Sequence, residues 1–191
     1  MLWDLGVGDT KNEAAVLEKI IEVEHSFNLV MIVERFQESL IFLKKELSWD
    51  YADVTSLKLN ARVDEVRTTL NDSTRNLLKE FLRLDYLVYD HFYKIFEEKV
   101  KNFGSEKMEK ELHRLSLEFT RISEECGLSE GRLEGDPRSN WGGKAGLQGF
   151  KAVDTTDDNC LMMTLRERQL VERIRKSQLN RLNKTVLQVS S

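Results

Sequence analysis

The stretch from Phe27 to Trp49 constrains the fold more than any other part of the chain. It opens with the short apolar run Phe-Asn-Leu-Val-Met-Ile-Val, residues 27 to 33. Runs of this kind, rich in β-branched residues, mark a strand buried on both faces. Phe36, Leu40, Leu43 and Leu47 follow at the spacing of one helix face. The polar segment between them, Glu34 to Ser39, therefore reads as a strand-to-helix corner. In open α/β sheets ligands collect beyond the carboxyl ends of strands. That rule makes Glu34 and Glu38 candidate site residues.

A second strand is expected at Val54 to Leu59, where apolar and polar residues alternate. Two strands joined by a helix make a βαβ unit with a right-handed crossover. Lys58, Asn60 and Arg62 would then lie on the same sheet edge as Glu34 and Glu38, with Lys58 and Arg62 suited to an anionic substrate. The bland alternative is that Glu34 and Glu38 pair with Arg35 or Lys58 and simply stabilise the corner.

Elsewhere the pattern is helical. Thr10 and Glu13 have capping-box spacing and predict a helix to about His25. Leu77, Phe81, Leu84 and Val88 begin a long apolar face over residues 73 to 101, which Gly104 would close. Met108, Leu112, Leu115, Phe119 and Ile122 mark a second helix over 105 to 125. Most of the glycines and the only proline, Pro137, fall between 127 and 159, which reads as a long loop. Residues 160 to 191 form a basic helix and tail. The organisation expected is thus 1–126, a glycine-rich loop 127–159, and a terminal helix 160–191.

Composition narrows the function. A net charge of -4 and a pI near 5.6 argue against a dedicated nucleic-acid partner. No apolar run approaches the roughly 20 residues that span a bilayer, and no signal peptide is visible. Two cysteines without clustered histidines make no zinc site. Cys126 and Cys160 are either unrelated thiols or one disulfide in an oxidising compartment. Asn71-Asp72-Ser73 and Asn183-Lys184-Thr185 fit the glycosylation pattern.

No phosphate-binding motif of the G-x-x-x-x-G-K-[ST] or G-x-G-x-x-G type occurs after a strand. Arg138 to Lys144 is glycine-rich and basic, so its amides could cradle a phosphate, but no strand precedes it. His25, His91 and His113 lack partners at catalytic spacing. His25 suits a helix end, and His91 sits among Tyr86, Tyr89, Phe92 and Tyr93.

Several segments resemble the galactose-3-O-sulfotransferase family. Trp3-Asp4-Leu5-Gly6 is similar to its Phe-Asp-Leu-Gly segment. Phe27 through Glu34, Phe36, Glu38, Ser39 and Leu40 resemble its Asp-Leu-Val-Leu-Ile-x-Glu-x-Phe-x-Glu-Ser-Leu core. Lys58-Leu59-Asn60-Ala61-Arg62 resembles its Lys-Leu-Asn-x-Arg, and Leu84-Asp85, Tyr89 and His91-Phe92 its Leu-Asp-x-x-Leu-Tyr-x-x-Phe helix. The likeness runs from Trp3 to about Phe103 and thins afterwards, returning at Gly149-Phe150 and Cys160.

The resemblance implies an α/β, partial P-loop-like sulfotransferase fold with a short parallel sheet, helix-rich in this chain. It implies transfer of sulfonate from 3′-phosphoadenylyl sulfate, without a metal, to the 3-hydroxyl of galactose on a glycolipid or glycoprotein. It implies a type II protein of the Golgi membrane, with its catalytic domain in the lumen. The donor-binding half and the membrane anchor have no counterpart in these residues, so the chain is expected to be the carboxyl-terminal part of such an enzyme, inactive alone. A lumenal setting implies a Cys126–Cys160 disulfide and glycans on Asn71 and Asn183. Glu34, Glu38, Lys58, Asn60 and Arg62 become acceptor-side candidates, with the catalytic base expected upstream. The competing readings are a non-enzymatic helical interaction module and a sulfotransferase of other acceptor specificity.

Overall fold

The computed structural model describes residues 1–8, 12–59, 61–62, 69–132, 147–153, 156–165 and 167–189, with the backbone alone at 61–62, 131–132, 147–148, 168 and 183–189. They fall into two units. The first comprises Met1–Thr55 and Thr68–Phe119, the second Ser56–Arg67 and Thr120–Ser191.

The first unit is helical. Helix α1 (Glu13–Ser26) starts at Asn12, whose Oδ1 accepts the amides of Ala14 and Ala15 at 3.1 and 3.3 Å. The cap is therefore Asn12 and not Thr10, which lies outside the described residues. A short polar side chain satisfies the orphan amides of a first turn equally well from this position. Val16, Ile20 and Val23 line the buried face of α1. They meet Leu84, Val88 and Phe92 of α5 (Arg83–Phe103), with Leu2 and Val7 completing one apolar cluster. One turn further along α5, Phe96 enters a second cluster with Ile32, Leu40, Ile41, Phe42, Val54, Met108 and Leu115. Helix α5 is thus a wall shared by both clusters. Burying each such phenylalanine contributes about 1.5 to 3 kcal/mol.

Residues 27 to 33 do not form the expected strand. Phe27 and Ile32 have extended backbones, but the segment pairs with no other strand and ends in a 3-10 turn, Val33–Arg35. Its apolar residues are divided between the two clusters, Val30 facing the first and Leu29, Met31 and Ile32 the second. Burial on both sides, which the run signalled correctly, is supplied by helices and not by neighbouring strands.

Helix α2 (Phe36–Leu47) follows as expected, but its buried residues are Ser39, Leu40, Ile41 and Phe42. Phe36 and Leu47, the ends of the predicted stripe, are exposed. Phe42 meets Phe96 and Phe103 edge-on, at centroid distances of 5.6 and 5.4 Å. The second expected strand, 54–59, is absent too. Asp50 and Asp53 form a reciprocal capping box that starts α3 (Tyr51–Val54), so Val54 closes a helical turn.

The face predicted for 73 to 101 belongs to two helices. Asn71 caps α4 (Asp72–Phe81) by accepting the Thr74 amide at 2.8 Å, and α5 begins after Leu82. No residue of α4 is buried. Leu77 is 67% exposed and Phe81 83%. Gly104 ends α5 at φ 90°, a backbone angle that favours glycine, and α6 (Ser105–Glu125) follows at once.

The second unit holds the sheet. Strands β1 (Ala61–Arg62), β2 (Ser129–Arg132) and β3 (Leu147–Lys151) are ordered β1-β3-β2, both pairs antiparallel. The expected parallel sheet is therefore not formed by the described residues. Two of the three strands lie in the stretch read as a loop. Gly131 sits opposite Gly149 and Glu130 opposite Phe150, a pairing without the apolar alternation that announces a strand.

Helix α6 ends at Glu125, and Gly127 follows with φ 54°. Cys126, just before it, is joined by a disulfide to Cys160 of α7 (Asp158–Thr164). Asp157 caps α7 by accepting the amides of Asn159 and Cys160. The chain turns extended at Leu165 and continues as α8 (Glu167–Val189).

Candidate functional site

The corner between the 3-10 turn and α2 holds the densest polar arrangement among the expected site residues. Ser39 is fully buried one turn into α2. Its Oγ accepts the Ile32 amide at 3.0 Å and donates to the Ile32 carbonyl at 3.1 Å. This ties the extended segment to the helix and fixes where the intervening Glu34 and Arg35 emerge.

Arg35 turns back along α2. Its guanidinium donates from Nε and Nη2 to the two carboxylate oxygens of Glu38, the second bond at 2.6 Å. Bidentate pairs of this kind are directional as well as strong. The Arg35 guanidinium also lies 5.7 Å from the centroid of the Phe96 ring. Hydrogen bonding to Glu38 raises the Arg35 pKa further above its already high value, and Tyr93 adds to the effect. Glu38 is thus held by Arg35.

Glu34 is exposed and has no ion pair among the described residues. It stands beside Tyr89 on α5. Loss of surrounding water raises the Tyr89 pKa first, and the Glu34 carboxylate, by its charge and by accepting the Tyr89 hydroxyl, raises it further. Tyr89 stacks on Tyr93 with centroids 5.6 Å apart and planes inclined by 27°. These tyrosines sit one turn apart on the rigid shared wall, so corner and helix present a carboxylate beside a pair of half-buried rings.

The sheet edge expected to gather the candidates is not formed by the described residues. Glu34 and Glu38 share the corner in the first unit. Lys58 is exposed in the second unit, in a tight turn where the Leu59 amide donates to the Leu57 carbonyl at 2.9 Å, and Arg62 lies on β1, described by its backbone. Asn60 and the Arg138–Lys144 loop lie outside the described residues. Asn71 is exposed at the α4 cap, and Asn183 lies within α8, described by its backbone. His25 Nδ1 lies 2.7 Å from the Ile21 carbonyl at the end of α1. His91 Nε2 lies 2.8 Å from a Glu24 oxygen. His113 is exposed on α6.

A second polar knot was not foreseen. The Tyr51 hydroxyl donates to Glu111 at 2.8 Å, with Lys44 and Arg114 at 3.8 and 3.7 Å from the same carboxylate. Lys44 also sits 4.2 Å from the centre of the Tyr51 ring. Tyr51 is the leading cause of a raised Arg114 pKa. Glu111 is 60 residues from Tyr51, and no local spacing signals so distant a bond. Among the described residues no group of three or more histidine, cysteine or acidic side chains could hold a metal ion.

A family profile described as galactose-3-O-sulfotransferase matches residues 1–139. The chain belongs to the galactose-3-O-sulfotransferase family. Mouse galactosylceramide sulfotransferase is 38% identical over 117 residues, covering 60% of this chain and 28% of the relative. Mouse galactose-3-O-sulfotransferase 3 is 36% identical over 132 residues, covering 66% and 30%. Human galactose-3-O-sulfotransferase 2 is 28% identical over 174 residues, covering 85% and 44%. The chain therefore spans less than half the length of these relatives. No solved structure matches it.

Within the galactose-3-O-sulfotransferase match lie the corner, the shared α5 wall and the α4 cap. The corner's chemistry suits a neutral polyol: one exposed carboxylate to accept hydroxyl hydrogens, aromatic surface beside it, and a second carboxylate neutralised by arginine. The described helices contain none long and apolar enough to cross a membrane.

Proposed function

We propose that this chain is part of an enzyme that transfers sulfonate from 3′-phosphoadenylyl sulfate to the 3-hydroxyl of galactose on a glycolipid or glycoprotein. The family match over residues 1–139 carries this reading. In the reaction, galactose O3 attacks the sulfur in line. The bond from sulfur to the bridging phosphate oxygen breaks, a base takes the hydroxyl proton, and 3′-phosphoadenosine 5′-phosphate leaves. Donors aimed at the departing oxygen would stabilise its charge.

Residues 1–126 would contribute the acceptor side of a P-loop-like α/β domain, with 127–159 and 160–191 as appended segments. Glu34, Lys58, Asn60 and Arg62 remain acceptor-side candidates, while Glu38 is assigned to orienting Arg35. Attachment to the Golgi membrane, with this part in the lumen, belongs to the same reading, as do glycans on Asn71 and Asn183. The Cys126–Cys160 disulfide is in keeping with an oxidising compartment.

The test is acceptor profiling of the gene product that carries this chain, with radiolabelled donor. The expected product is galactosylceramide or a galactose-terminated glycan sulfated at O3. Transfer confined to a hexosamine or uronic acid would overturn the reading. The 191-residue chain, whose sequence has no phosphate-loop motif, should bind 3′-phosphoadenosine 5′-phosphate feebly or not at all by calorimetry.

A second reading, a helical interaction module, draws on α4, whose Leu77 and Phe81 are largely exposed. Concentration-dependent association that Phe81→Ser abolishes, together with no sulfonate transfer, would favour it.

A further inference from the structure

We propose that Tyr89 and Tyr93, with the Glu34 carboxylate beside them, form the surface that receives the galactose ring. The inference rests on the sulfotransferase reading above and deepens it by naming the sugar contact.

Galactopyranose has two kinds of surface. Its axial O4 leaves the C–H groups of C3, C4 and C5 together on one face, an apolar patch. Its hydroxyls point outward around the rim. A protein surface that fits it needs flat apolar area beside a strong hydrogen-bond acceptor. Tyrosine supplies such area at small conformational cost while keeping a polar tip in water. The Tyr89–Tyr93 stack offers two rings a turn apart, half-buried and fixed on α5.

The two carboxylates at the corner divide the work. Glu38 is engaged by both donors of Arg35, one on each oxygen, and its charge is neutralised there, so it is the weaker acceptor for a sugar hydroxyl. Glu34 has no cation partner among the described residues and stands next to Tyr89. It accepts from the Tyr89 hydroxyl, and its remaining lone pairs, with no cation to neutralise them, can take a sugar hydroxyl hydrogen in a charge-assisted bond. Its position is set by Ser39, which locks the chain on one side of the turn, and by Arg35, which packs over Phe96 on the other. A site so supported is formed before the ligand arrives.

The preference follows from stereochemistry. Glucose carries O4 equatorially, so its C4 hydrogen lies on the opposite face and the shared apolar patch is smaller. Stacking on Tyr89 and Tyr93 would favour galactose over glucose even with Glu34 unchanged.

The experiment titrates the 191-residue chain with methyl β-galactoside and with methyl β-glucoside while recording amide spectra. The expected result is a saturable response centred on Glu34, Tyr89 and Tyr93, stronger for the galactoside. Glu34→Gln should weaken it about tenfold, the scale of one hydrogen bond to a charged group. Tyr89→Ala should abolish it and Tyr89→Phe largely retain it, while His113→Ala on α6 leaves it unchanged. Because Tyr89→Ala removes a half-buried ring, each variant is checked for native dispersion, and if it unfolds, Glu34→Gln decides. Absence of saturable binding, a response mapping elsewhere, or full affinity in Glu34→Gln would overturn the proposal. Sulfonate transfer separates the two ideas. Galactoside binding at the corner without transfer by the gene product overturns the enzyme reading alone. Transfer with an unchanged acceptor KM in Glu34→Gln overturns the subsite alone.

Discussion

The Ser39 hydroxyl does for Ile32 what a neighbouring strand would do, accepting its amide at 3.0 Å and donating to its carbonyl at 3.1 Å. One side chain thereby satisfies both backbone groups of a buried residue in an unpaired extended segment. Ser39→Ala should strand the Ile32 amide, whereas the Ile32 carbonyl keeps the Arg35 amide at 3.0 Å. The expected loss is about 1 to 3 kcal/mol, the cost of one buried polar group without a partner, read as a lowered urea midpoint with an unchanged slope. A loss under about 0.5 kcal/mol, the scale of neutral surface changes, would show that water replaces the hydroxyl.

The corner carboxylates should behave differently. Glu38→Gln removes one of the two oxygens that accept from Arg35, and the charge, and should cost about 1 to 2 kcal/mol, since the pair is only 28% and 18% exposed. Glu34→Gln should leave stability within about 0.5 kcal/mol, as for other exposed positions. Denaturation of the two variants side by side checks the contrast, and equal losses would contradict it.

Tyr89 gives the first unit a pH dependence at the alkaline end. Burial, and then Glu34, raise its pKa above the ordinary 10.0. The folded state therefore holds the proton more tightly than the unfolded state. That contribution is fully present below pH 10.0 and is lost as pH rises through the folded value. Phenolate absorbance should show one tyrosine titrating later than the unfolded reference. Glu34→Gln should move it part of the way back, leaving the share due to burial.

Asn71 serves a cap and a candidate glycan with different atoms. Its Oδ1 accepts the Thr74 amide, whereas a glycan would attach at Nδ2. Asn71→Asp should keep the cap and lose any glycan. Asn71→Ala should lose both, at a cost of about 1 kcal/mol. Mass spectrometry of secreted protein and thermal melts of the unglycosylated protein measure the two effects separately.

The sequence carried most of the helices and much of the corner. The 3.6-residue spacing of Leu40, Leu84, Val88 and Met108 reports burial against other helices directly. The expected strands failed because burial on both faces and strand pairing leave the same mark on residues 28 to 32. Only Ser39, seven residues away, shows which is present. Alternation misleads at Val54 because the capping box of Asp50 and Asp53 outranks it over so short a span. The β2–β3 pairing was illegible because glycines face one another across it. That Glu34 and Glu38 share the corner was legible from position. Their unequal roles were not, since which carboxylate Arg35 takes depends on a turn that spacing does not encode.

The disulfide between Cys126 and Cys160 closes a loop with a sequence separation of 34. Loop-closure entropy for that length is worth about 3 to 4 kcal/mol. Reduction should lower the stability of the second unit by that order and leave amide protection in α1, α2 and α5 unchanged.

The same bond makes the chain topologically tolerant of cutting. A single protease cleavage anywhere from residue 127 to 159 yields two polypeptides that remain one molecule. Such a nick would pass unseen on a non-reducing gel and would appear as two bands only once the sulfur bridge is opened.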